Sequence, residues 1–98
     1  MKLNVTKYGT SRTETCWIVE LDGLVIGTMR KARDTRTDKH ATSAHLVRGW
    51  DDEGNAVSEF VGTAWKLKDA VAAIVARHDH RDPAELAAMV ARNPTPVH

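Results

Sequence analysis

The chain has 98 residues, 42% hydrophobic and 28% charged, enough for one modest core and too ordinary for a collagen-like, wholly disordered or membrane-embedded protein. Its one cysteine, Cys16, excludes an intramolecular disulfide and a thiolate zinc cluster. The formal charge of +1 hides an uneven distribution: residues 1–50 carry nine Lys/Arg against five Asp/Glu, and residues 51–98 carry five against eight.

Leu3 and Val5 alternate with polar residues, which fits a short first strand ahead of the turn-like Gly9-Thr10-Ser11-Arg12. The clearest signal follows. Two β-rich runs, Cys16–Leu21 and Leu24–Met29, flank Asp22-Gly23, the residue pair preferred where both central turn positions need positive φ. A two-residue loop there sets Leu21 opposite Leu24, Val19 opposite Ile26 and Trp17 opposite Thr28, an apolar face suited to the core. The other face, with Cys16, Ile18, Glu20, Val25, Gly27 and Met29, is also rather apolar and calls for a cover of its own.

Residues 30–44 read as a long polar connection without periodicity, with five cations and two acids. A second hairpin is expected from His45–Trp50 and Val57–Thr63 around the turn-rich Asp51–Asn55. Leu67, Val71, Ile74, Val75 and His78 then fall on one face of a 3.6-residue repeat, and the helix stops near Asp79-His80-Arg81. Asp82-Pro83-Ala84-Glu85 starts a second helix, with Asp82 as cap, Pro83 at the first helical position, Glu85 reaching back, and Leu86, Met89 and Val90 as the apolar stripe. The order predicts a single α+β domain over 1–93, an antiparallel sheet of two hairpins with a further N-terminal strand, followed by two helices, and a frayed tail at 94–98.

The sequence offers little catalytic chemistry. Cys16 sits among strand residues and reads as a small apolar side chain. His78 and His80, two apart on a helix, point to different sides and do not suit one metal ion. Asp51-Asp52-Glu53 lacks the alternating oxygen ligands of a calcium loop. Glu20 and Glu59 lack a recognisable acid–base partner and read as solvated. No enzyme, cofactor or metal is expected, and a lone thiol without an apolar leader points to a soluble, cytoplasmic protein with no membrane partner.

The basic stretch is the best functional candidate. Arg30, Lys31, Arg33, Arg36 and Lys39, aided by Arg48, Lys66 and Lys68, place cations along an extended arm that can meet phosphates of DNA or RNA. A second reading is a protein–protein interface, with a host protein or with a second copy as a homodimer, through Ile18, Val25, Met29 and Trp50.

The stretch from Leu46 to Arg77, a hairpin followed by Gly62-Thr63-Ala64-Trp65 and an alanine-rich helix, resembles the small DNA-binding domain shared by plant AP2 factors and phage integrase arm-binding modules. The resemblance implies a sheet face presented to the DNA major groove, with Arg48 and Trp50 in the contacting positions. In style the chain is also similar to small accessory proteins of phages infecting high-GC bacteria, which implies binding to DNA or to a host protein.

Overall fold

The computed structural model describes residues 2–10, 14–32 and 41–92, excluding the side chains at positions 89, 90 and 92. The expected cations Arg33, Arg36 and Lys39, the Met89 and Val90 side chains of the second helix, and the tail 94–98 therefore lie outside the described residues.

Five antiparallel strands form one sheet in chain order: β1 (Leu3–Thr10), β2 (Glu14–Leu21), β3 (Leu24–Ala32), β4 (Thr42–Trp50) and β5 (Ala56–Ala64). Two helices follow, α1 (Leu67–Asp79) and α2 (Pro83–Arg92). The α+β expectation holds, and β1 is a full strand paired along β2.

The first hairpin turns at Asp22 and Gly23, whose φ angles of 52° and 84° are the left-handed values that an Asp-Gly pair tolerates. Its register departs from the expected one. Leu21 does face Leu24, but Glu20 then pairs with Val25 and Val19 with Gly27, so Ile26 is an extra residue in β3. This β-bulge moves Trp17 opposite Met29 rather than Thr28. Gly27 and Met29 therefore belong to the inner face with Val19, and Met29 is a core residue with 1% exposure, not part of a second apolar face.

The long connection is also shorter than the composition implied. Arg30, Lys31 and Ala32 extend β3, and Thr42, Ser43 and Ala44 begin β4. Thr42 and Ala44 are buried, and residues this small carry no large apolar signal that would mark a strand in the sequence.

The main core joins Val19, Leu21, Ile26, Met29, Ala44 and Leu46 of the sheet to Ala70 and Ile74 of α1, with Trp17, Val61, Val71 and Val75 packed against it. The helix stripe is legible, although Ala70 lies deeper than the periodicity indicated and Leu67 is exposed. On the opposite face Val25 and Val47 form a smaller cluster covered by Ile18, Leu24 and Trp50. The first tryptophan thus enters the main core, the second flanks the small cluster, and Trp65 is exposed.

Asp82 caps α2, its Oδ1 accepting from the Ala84 backbone N–H at 3.1 Å. Glu85 does not close a capping box. It pairs instead with Arg48 Nε at 3.0 Å, which ties α2 to β4.

Candidate nucleic-acid interface

Strand pairing decides which side chains share the face opposite the main core. Cys16 and Arg30 are cross-strand partners, as are Ile18 and Thr28, Thr28 and His45, and His45 and Phe60. Each alternates with a core residue on its own strand, so all lie on the side away from Ile74. Tyr8, at the bulge of β1 between Lys7 and Gly9, joins them through a hydrogen bond with the Cys16 thiol. The result is a stripe with one side chain from every strand: Tyr8, Cys16, Arg30, His45 and Phe60.

The ends of the stripe are open, with Tyr8 55% and Phe60 59% exposed. At its centre the Arg30 guanidinium lies 3.7 Å from Glu14 Oε2, with both side chains substantially exposed. The Cys16 thiol is 3.8 Å from Glu14 Oε1. Ser43 donates its hydroxyl to the Arg30 carbonyl at 3.0 Å, which pins the backbone beneath the guanidinium. His45 meets the Phe60 ring edge-on, with centroids 5.6 Å apart and planes at 64°. Burial, and secondarily Arg30, holds the His45 imidazole below its ordinary range. Burial and the neighbouring Cys16 and Glu14 raise the Tyr8 phenol, which keeps it a neutral donor at pH 7.

The topology also sorts charge between the two ends of the sheet. The strand ends at Thr10, Glu14, Ala32, Thr42 and Ala64 meet at one end, which carries Arg30, Lys31 and, just before α1, Lys66 and Lys68. The turns at the other end hold Asp22, Asp51, Asp52 and Glu53. This end-to-end separation cuts across the two sequence halves, since Lys66 and Lys68 come from the acidic half and Asp22 from the basic one.

The cations expected to work together do not all do so. Arg30 and Lys31 are neighbours near the basic end of β3 but point to opposite faces, Lys31 to the side of the buried Thr15 and Thr42 and Arg30 to the side away from α1. Arg48 is set apart by its ion pairs, with Glu59 Oε2 at 3.0 Å and Glu85 Oε1 at 3.0 Å, and Arg77 reaches Glu59 Oε1 at 3.3 Å. Glu59 is thus not a solitary solvated carboxylate. Glu20 is buried as well, because β2 is an interior strand. The ionic cluster borders a cleft of about 330 Å³ between β4 and the α1–α2 junction, lined by Arg48, Arg77 and Arg81 together with Asp82 and Glu85. Trp50 packs over Val25 and Val47, so Arg48 and Trp50 are not presented together as the AP2-type resemblance implies.

Tyr8, His45 and Phe60 were not legible as site residues. A faint signal exists: each stands on the strand parity that the apolar core residues leave free, but the bulges hide that parity until the register is known. Among the described residues no three His, Cys, Asp or Glu side chains gather as metal ligands, and no helix is long and apolar enough to cross a membrane. Comparison with protein families, characterised proteins and solved structures returns no match to this chain.

The histidines make stability depend on pH. His45 and His78 both titrate below their ordinary value, chiefly through burial, with Arg30 beside the first and Arg81 opposing Asp79 beside the second. In the unfolded chain they titrate near pH 6.5, so between that value and their folded values the unfolded state binds more protons. Stability is full above about pH 7.5, falls as pH is lowered through 6.5, and levels off below the folded values. Urea midpoints at pH 7.5 and 5.5 should show the drop, and the His45→Gln/His78→Gln double variant should abolish most of it.

Proposed function

We propose that the protein is a small non-enzymatic nucleic-acid-binding module. The observation that carries this reading is the stripe of Tyr8, Arg30, His45 and Phe60 on the face away from α1, open at both ends and with the exposed Arg30 guanidinium between its aromatic rings. Guanidinium and ammonium groups neutralise phosphates and release counterions, while aromatic faces supply contacts that do not depend on charge. The Arg30–Glu14 pair does not block this role. Exposed ion pairs at such separations contribute ~0–1 kcal/mol, so a phosphate can displace the carboxylate. The sequence of residues 33–40, which joins β3 to β4, adds further cations directly after Arg30 and Lys31.

Fluorescence anisotropy with labelled oligonucleotides tests the reading. Binding should weaken steeply between about 50 and 200 mM salt. Arg30→Ala/Lys31→Ala should lower the affinity about tenfold or more and flatten the plot of log affinity against log salt by about 0.7–0.9 per lost contact. Arg48→Ala is the control: it should cost about 1 kcal/mol of stability through its lost ion pairs and leave binding unchanged. Absent or salt-insensitive binding rejects the proposal.

A further inference from the structure

The geometry points to single-stranded nucleic acid, laid across the strands over Tyr8, Arg30 and Phe60, as the form of polyanion this module takes. The inference rests on the nucleic-acid reading above and narrows it. Three observations carry it. First, the stripe draws one residue from each strand and so runs across the sheet. Four inter-strand spacings of roughly 4.8 Å separate β1 from β5, a span of about 19 Å. The major groove of B-DNA is about 12 Å wide and admits a helix or a two-stranded ribbon, so a duplex cannot take the whole stripe into its groove.

Second, the two largest exposed groups on the stripe are aromatic, Tyr8 at 55% and Phe60 at 59% exposure. Such rings offer π-faces. In a duplex the base faces are already stacked on one another, whereas an unpaired strand can lay its bases on protein rings regardless of sequence. Third, each ring is braced and the charge lies between them. Phe60 is held edge-on by His45, Tyr8 is hydrogen-bonded to Cys16, and Arg30 stands at the centre with a weak, exchangeable partner in Glu14. A backbone crossing the sheet thus meets a stacking platform, a guanidinium and a second platform in turn.

The test uses the full chain with oligothymidylate, oligouridylate and a hairpin duplex of about 20 nucleotides, followed by anisotropy. The single strands should bind at least about tenfold tighter than the duplex. Tyr8→Ala and Phe60→Ala should each weaken single-strand binding at least about fivefold without changing the salt slope, because no charge is removed. Tyr8→Phe and Phe60→Tyr keep an aromatic ring and should bind as the unaltered chain does. Both sites are exposed, so melting midpoints should stay close to that of the parent and show that lost binding is not lost folding. Equal duplex and single-strand affinities with indifferent alanine variants overturn the single-strand inference while salt-dependent binding still stands. Failure of all three oligonucleotides to bind at low salt removes the nucleic-acid reading and the inference with it.

Discussion

Gly27→Ala should lower the unfolding free energy by about 3 kcal/mol, although alanine is ordinarily the better residue inside a strand. A Cβ at this position would stand 2.5 Å from Ile74 Cγ2 and 2.7 Å from the carbonyl oxygen of His45. Both contacts lie at the seam between the sheet and α1, where Ile74 is fully buried. The Ile74 side chain could shift only by displacing its neighbours in the core. The His45 carbonyl belongs to the β4 backbone and could shift only by distorting the sheet. The usual gain from replacing glycine, roughly 0.5–1 kcal/mol, is too small to offset this overpacking. Ile74→Ala alone should cost about 2–5 kcal/mol through the cavity it opens. The double variant should cost clearly less than the two single losses together, because the new methyl enters space the isoleucine has left. The relief stays partial, since the carbonyl contact remains. Urea unfolding of the four proteins closes the cycle, and strict additivity would show that the new methyl group is accommodated elsewhere.

Gly27 also shows where the sequence was readable and where it was not. The Asp22-Gly23 turn, the 3.6-residue stripe of α1 and the Asp82-Pro83 start of α2 are local signals, and the fold follows them. The bulge at Ile26 depends on what lies across the sheet and above it. Two adjacent apolar residues, Val25 and Ile26, followed by an isolated strand glycine were its trace in the sequence. Strict alternation reads through that trace and flips every residue beyond it, which puts Met29 on the wrong face. The site suffered for the same reason. Arg30 and Lys31 stood out by charge, whereas Tyr8, His45 and Phe60 become a group only when five registers, several of them interrupted by bulges, are laid side by side. Arg48 stood out by charge too, but the carboxylates that engage it come from β5 and α2, distant in sequence.

Val47→Asp should be the other severe substitution, costing roughly 3–5 kcal/mol, a large share of the ~5–15 kcal/mol that holds a domain together. Val47 is completely buried although it lies on the face opposite α1. It packs with Val25 beneath Ile18, Leu24 and Trp50, so this part of the face is a second, smaller core rather than an apolar surface awaiting a partner. A short carboxylate there cannot reach solvent, and the buried Glu20, cross-strand partner of Val25, lies on the same face and adds repulsion. Ile18→Lys should behave differently. Ile18 is only half-buried, and a lysine can lay its methylenes over the valines while its ammonium stays in water, at about 1–2 kcal/mol. Denaturant midpoints and light scattering on both variants separate a core from an interface. A core predicts a crippled Val47→Asp and a folded Ile18→Lys whose association state matches the parent. A self-association surface predicts a dimeric parent that Ile18→Lys converts to monomer, and a Val47→Asp that keeps its midpoint. In that event Ile18, Val25 and Trp50 would return as contact residues for a second copy, and the Tyr8–Phe60 stripe would lie beside a subunit boundary instead of on an open face.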